Sequence, residues 1–221
     1  MEATEISAWH LDLFANSEFP IDVGGGVAVE LPWRLRLEVG AGWMPPPYAG
    51  VINDTVIALG GWTESEGELI TSVLTDSLVL DVRAGWRPWA KHGFFLDAGA
   101  SYVTLGAAAT TDEILVALTD AELPRGGEAL GDRGYVATTG ITMLTVEVGW
   151  DILIKEHFLI RPTLGGRFTV GATASMEPTF DTRFDEFWET LGQEGSDYLV
   201  SEEEQWVHAP TVGLAVGWRV F

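Results

Sequence analysis

Four histidines and a large stock of carboxylates are the residues of this chain with chemistry to offer. Hydrolysis or acyl transfer needs a Ser or Asp nucleophile, or a water-activating carboxylate, beside a His base within hydrogen-bond reach. His10 lies close to Asp12, and His208 follows Ser201 and Glu202 to Glu204, but neither spacing is diagnostic. His92 and His157 fall in short connecting segments. There is no Cys, which excludes disulfide and thiolate–metal scaffolds. Gly24-Gly25-Gly26 lies inside a strand pattern, so it is no phosphate cradle. No catalytic residue, metal cluster or cofactor is assigned. The clearest pattern is electrostatic. Asp12, Glu30, Glu38, Asp81, Asp97, Glu147 and Asp151 share one face of successive segments with Arg34, Arg36, Arg83, Arg87, Arg161, Arg167 and Arg219. Seven acids meet seven of the ten arginines, and such groups pair bidentately.

The elements that carry these charges are long strands. Ile160, Pro162, Leu164, Gly166, Phe168, Val170, Ala172, Ala174 and Met176 alternate with Arg161, Thr163, Gly165, Arg167, Thr169, Gly171, Thr173 and Ser175. Only a strand with two different faces gives that period. Segments 35–43, 78–87, 94–104, 142–154 and 212–220 repeat it. Two weaker segments precede them: Trp9, Leu11 and Leu13 opposite His10 and Asp12, then Val23 to Leu31 opposite Asp22 and Glu30. The count predicts eight antiparallel strands in a single domain over residues 1–221. Tight connections fall near Asn16 to Phe19, at Pro32-Trp33, at Pro88 to His92 and at Lys155 to His157. Long ones span about 46–72, 108–135 and 178–204. Short turns alternating with long loops are the layout of an all-β, up-and-down transmembrane barrel.

Three features separate this pattern from a soluble, lipocalin-like barrel. Charges and glycines occupy the polar face of nearly every strand, whereas a soluble ligand-binding barrel would expose its charges and keep an apolar lining. Trp9, Trp86, Trp150 and Trp218 fall toward the short-turn end of the apolar face, and Trp43, Tyr102 and Trp206 toward the long-loop end. These are two interfacial girdles, where an amphipathic ring keeps its body in lipid and its polar atom near water. Third, the chain ends in Trp218, Val220 and Phe221. That terminal segment resembles the insertion signal of Gram-negative outer-membrane β-barrels, with one departure, because Phe221 is out of phase with Trp218 and Val220. The strand count is similar to the small OmpA/OmpX/OmpW-type barrels. The resemblance is architectural and implies a bacterial outer-membrane location. No basic-then-apolar signal segment follows Met1, so an exported protein would be read here from its mature end.

The net charge of −21, from 33 acids against 12 bases, argues against a nucleic-acid partner. With the interior balanced, that surplus is expected in the loops. Residues 46–72 hold four acids and no base, and residues 178–204 hold nine acids against Arg183 alone. Oxygen-rich loops of this kind suit surface Ca²⁺ or Mg²⁺ rather than a resident cofactor. Phe180, Phe184, Phe187, Trp188 and Leu191 recur at helical spacing, which predicts an amphipathic loop helix and a candidate interaction face. Thr110 and Glu113 read as a capping box before Ile114, Ala117 and Leu118. Ile52, Thr55, Val56 and Leu59 predict another helix. The expected function is non-enzymatic: a barrel with a charge-plugged lumen whose partly helical outer loops meet a protein partner or surface glycan, embedded in outer-membrane lipid. A narrow passage for small or apolar molecules is the alternative, and an outer-leaflet lipid-modifying enzyme the third.

Overall fold

Among the described residues, period-two polarity becomes nine strands: β1 (His10–Phe19), β2 (Asp22–Leu31), β3 (Leu35–Trp43), β4 (Leu78–Trp86), β5 (Phe94–Thr110), β6 (Gly134–Trp150), β7 (Ile152–Ile154), β8 (Phe158–Pro178) and β9 (His208–Arg219). A computed structural model of the chain describes residues 9–58, 60, 77–89, 92–110, 134–178, 190, 192–197, 200–201 and 208–220. β1 to β6 pair antiparallel in chain order, β6 and β7 both pair with β8, β8 pairs with β9, and β9 returns to β1. Closure removes every edge within the ring, which is the condition for crossing a bilayer with strands. The ring has eight members because β7 continues β6. Gly149 opposite Thr163 and Ile152 opposite Ile160 hold one register along β8. The break falls opposite Pro162, which has no N–H for the ladder. Asp151 N–H donates instead to the Gly93 carbonyl at 2.9 Å.

Several boundaries differ from the sequence expectation. The first hairpin does not turn at Asn16 to Phe19: β1 runs on through Phe19, and the turn is at Pro20 and Ile21. The Asn-Ser pair has turn chemistry, but the ladder to β2 and β9 holds it extended. Segment 142–154 is not one strand. It begins at Gly134 and is interrupted at Asp151. β5 likewise runs past 104 to Thr110, so the second long connection starts later than 108. Arg34 lies in the 3-10 turn Pro32–Arg34 and not on the interior face. Its Nη1 donates to the Pro88 carbonyl at 2.9 Å and ties two short turns together.

These longer strands arise because polarity inverts partway up the wall. Toward the short turns, Leu37, Val82, Leu96, Val146, Leu164 and Leu214 are exposed while Asp81, Arg83, Asp97, Glu147 and Arg167 are buried. Beyond Trp43 and Tyr102 the order reverses: Thr138, Thr142 and Thr173 face out, and Val103, Leu105, Ile141 and Met143 face in. β5 and β6 invert by residue choice alone. In β8 a bulge does it, where Thr142 pairs with Gly171 but Met143 pairs with Thr169. The extra residue exchanges the faces. The even positions of β8 therefore do not share one face, since Phe168 and Val170 are exposed and Met176 is buried. Apolar outside and charged inside suits lipid, and the reverse suits water.

Helix α1 (Pro46–Ala58) covers the long-loop mouth. Pro46 and Pro47 start it, where a missing N–H costs nothing. Ala49 and Val56 are its buried residues, and Thr55 is exposed. Ala49 completes a buried cluster with Met44, Val79, Val103, Leu105, Ile141 and Met143. Leu59 and the helices expected around 114–121 and 180–191 lie outside the described residues. Residues 192–197 are helical, and the Met176 N–H donates to Ser196 Oγ at 2.9 Å.

Candidate functional site

Beneath that apolar cluster the bore is filled by guanidinium and carboxylate groups in three tiers. In the upper tier Arg167 is fully buried and chelates Glu18, with Nε to Oε1 at 3.0 Å and Nη2 to Oε2 at 2.9 Å. It also reaches Asp22 at 3.3 Å, Asp81 at 3.2 Å and Ser101 at 3.1 Å. Arg83 bridges Glu18 at 2.6 Å and Glu147 at 2.8 Å. In the middle tier Arg36 pairs with Glu38 and lies 2.9 Å from Asp97, and Arg161 reaches Asp151 at 2.5 Å and Glu38 at 3.1 Å. In the lower tier Arg87 pairs with Asp151 and with Glu30 at 3.0 Å. Arg219 chelates Asp12 at 2.8 and 3.0 Å. Charges removed from water persist only when paired in this way, and the least satisfied pair is Arg36 with Asp97, whose two carboxylate oxygens make no hydrogen bond among the described residues.

The expected seven-to-seven balance is not what the bore holds. Among the described residues, six arginines (36, 83, 87, 161, 167 and 219) pair with nine acids (12, 18, 22, 30, 38, 81, 97, 147 and 151). Arg34 leaves the set, and Glu18 and Asp22 join it. Part of the chain's acidic surplus is thus inside the barrel. Both added acids were on the inward parity of their strands. Glu18 follows Asp12 by an even step, and Asp22 precedes Glu30 by one. The misplaced turn hid the first.

Glycines on the wall make room for these side chains, as the narrow interior of an eight-stranded barrel requires. A Cβ on Gly85 would meet the Asp97 carboxylate and one on Gly42 the Asp22 carboxylate, while one on Gly99 would run into the Val82 carbonyl and the Arg83 backbone before the Arg83 side chain. Two inward aromatics complete the filling. Phe95 is buried with Arg36, Arg161 and Arg87 at 4.3, 5.7 and 6.0 Å from its ring, and Phe14 faces Arg161 at 5.3 Å. Arginine over an aromatic face is a favourable contact in a desolvated site. Both aromatics share parity with an inward acid, Phe95 with Asp97 and Phe14 with Asp12. A cavity of about 20 Å³ lies beside Arg83, Glu147 and Arg161, room for about one water.

On the outer wall Trp9, Trp43, Trp86, Tyr102, Trp150, Trp218 and Val220 are exposed. Phe94 joins Trp150 edge-on at 5.0 Å, and His157 stacks on Trp218 at 5.4 Å. Trp206, Phe180, Phe184, Phe187, Trp188, Leu191, Phe221 and Glu202 to Glu204 lie outside the described residues. His208 Nδ1 accepts the Thr169 N–H at 3.0 Å, which satisfies the end of the β8–β9 ladder. No cluster of three or more potential metal ligands occurs among the described residues.

No protein-family model and no curated protein matches this chain. Solved structures match it in fold. A major outer membrane protein from Thermus thermophilus is 12% identical, with a TM-score of 0.50, over 96% of this chain and 99% of that chain. The N-terminal β-barrel domain of Pseudomonas aeruginosa OprF is 11% identical with a TM-score of 0.46, over 96% of this chain and 97% of that one. Acinetobacter baumannii CarO2 is 11% identical with a TM-score of 0.41, over 95% and 99%. Identities this low speak to architecture alone. The closed antiparallel ring, its apolar exterior and its charged bore give this chain the fold of a small, eight-stranded β-barrel of the outer-membrane type.

Proposed function

We propose that the protein is a non-enzymatic barrel of the bacterial outer membrane, with its bore sealed by ion pairs, acting outward through its acidic long loops. The observation that carries this reading is the filled bore. Among the described residues every arginine in it is shared between carboxylates, and glycines on the wall let the tiers interlock. A barrel closed in this way supports a role as a scaffold in the membrane more than a role in passage. The half-exposed aliphatic belt and the Trp and Tyr residues at its two ends supply the surface that outer-membrane lipid would contact. A protein partner or surface glycan is the ligand class for the loops. Ca²⁺ or Mg²⁺ is the natural bridge between their carboxylates and an anionic cell surface.

Deleting residues 180–200 tests the assignment. Cells carrying the shortened chain should lose adhesion to the partner surface, or to purified surface glycan, while heat-modifiable gel mobility shows the barrel folded. Unchanged binding with the segment gone would overturn the loop role.

A further inference from the structure

We infer that the cavity between the upper and middle tiers is a site for one small monovalent cation of sodium's size. The inference rests on the sealed-bore reading, because an ion held there becomes part of the plug. Strand β9 makes the space. Between Thr211 and Arg219 its inward positions are Gly213, Ala215 and Gly217, so this side of the bore carries almost no side-chain volume. Charged side chains close the other sides: Glu18, Glu38, Glu147, Arg83 and Arg161 all line the cavity of about 20 Å³. Three carboxylates against two guanidiniums leave this lining one positive charge short. Among the described residues the whole bore is short by three, with nine acids against six arginines.

Hydrogen bonding places the deficit on particular atoms. Arg161 spends all three nitrogens on Asp151 and Glu38, and Arg83 spends both Nη groups on Glu147 and Glu18. Glu18 is satisfied at both oxygens, through Arg167 and Arg83. Glu147 is not. Its side chain is only 2% exposed, and among the described residues it is bonded through Oε2 alone. Glu38 likewise accepts from Arg36 and Arg161 at Oε2, while its Oε1 has only Arg83 Nη1, at 4.0 Å. Asn16 and Thr163 add neutral oxygens to the lining. Asn16 turns its amide nitrogen to Asp22, and the Thr163 hydroxyl sits where a Cβ on residue 213 would clash with it.

A buried charge must be paired or bound to a metal ion, and these two carboxylate oxygens have no further guanidinium to pair with. Room for about one water suits a single small cation. It does not suit Mg²⁺, which keeps several waters, or Ca²⁺, which takes about six to eight oxygens. Consistent with that, no group of three or more His, Cys, Asp or Glu fit to hold a metal ion occurs among the described residues. One positive charge also matches the local deficit.

Protein refolded into vesicles in sodium chloride is compared with protein refolded in choline chloride of equal ionic strength, since choline is too large for the cavity. Urea unfolding followed by tryptophan fluorescence reads the difference. Binding to the folded state alone lowers the unfolding constant by a factor of 1 + [Na⁺]/Kd, about tenfold once sodium stands at ten times Kd. The effect should saturate with sodium and vanish in Glu147→Gln, which removes the unpaired charge. Thr163→Val withdraws one neutral oxygen and should weaken the effect, and it carries the test should Glu147→Gln fail to refold. Equal stability in the two salts, or a sodium effect unchanged in the variants that refold, would overturn the proposal. Planar-bilayer current separates the site from the seal. Sodium-dependent stability with steady current counts against the seal alone, and a silent bilayer without sodium dependence counts against the site alone.

Discussion

Replacing Arg167 with Met should cost this barrel a large part of its stability, and the partners of Arg167 say why. The side chain is fully buried and serves Glu18, Asp22 and Asp81 at once. After the substitution Glu18 keeps Arg83 at 2.6 Å, and Asp81 keeps Ser101 at 2.5 Å. Among the described residues Asp22 keeps only the Asn16 amide, at 3.4 Å. One carboxylate is thus left without a cation in a bore already richer in acids than in arginines. Removing one member of a buried pair typically costs about 3–5 kcal/mol. The double variant Arg167→Met with Asp22→Asn removes the orphaned charge and should recover about 1–3 kcal/mol of that loss, since an unmet buried charge is the main penalty. Urea unfolding in lipid vesicles, followed by tryptophan fluorescence, measures both, and a double-mutant cycle isolates the coupling. A single variant within about 0.5 kcal/mol of the parent, a change typical of unconstrained surface sites, would refute the reasoning. So would a double variant no better than the single one.

The polarity inversion makes a depth prediction. Val82→Arg, in the middle of the belt, should lose about 2–4 kcal/mol in lipid, whereas Thr138→Arg should change stability by less than about 1 kcal/mol. Equal losses would place the boundary elsewhere. Glycine packing supplies another test in the same unfolding assay. Gly99→Ala puts a Cβ against the Arg83 backbone and should cost about 1–3 kcal/mol. Gly171→Ala meets nothing within 4 Å and should be close to neutral.

The strand number, the closed topology and most of the bore's charges were legible because an inside-out barrel writes its period in unusually strong contrast. Arg against Leu on alternate positions is easier to read than the weaker contrast of a half-buried soluble strand. Legibility failed where that contrast changed sign or vanished. β5 and β6 extend beyond the point where Leu105 and Ile141 face in and Thr138 faces out, so an alternation calibrated on the belt ended too soon. The bulge at Val170 left no mark, because Gly171 and Ala172 suit either face. Glu18 was lost to a turn reading of Asn16 and Ser17, although two ladders hold those residues extended. Phe95 and Phe14 carry no charge to mark them as inward, yet in a charged bore an aromatic ring packs against guanidinium as well as it would against lipid. The break at Asp151 was visible only as Pro162 on a strand not yet paired with it.

Planar-bilayer recording on the intact, refolded protein tests the central claim that the ion pairs seal the bore. In symmetric potassium chloride the sealed barrel should leave the bilayer silent, with no steady current step on insertion. Steady single-channel steps from the unmodified chain, altered in size by Arg83→Gln or Glu147→Gln, would show ions crossing the very tiers described above and would contradict the account.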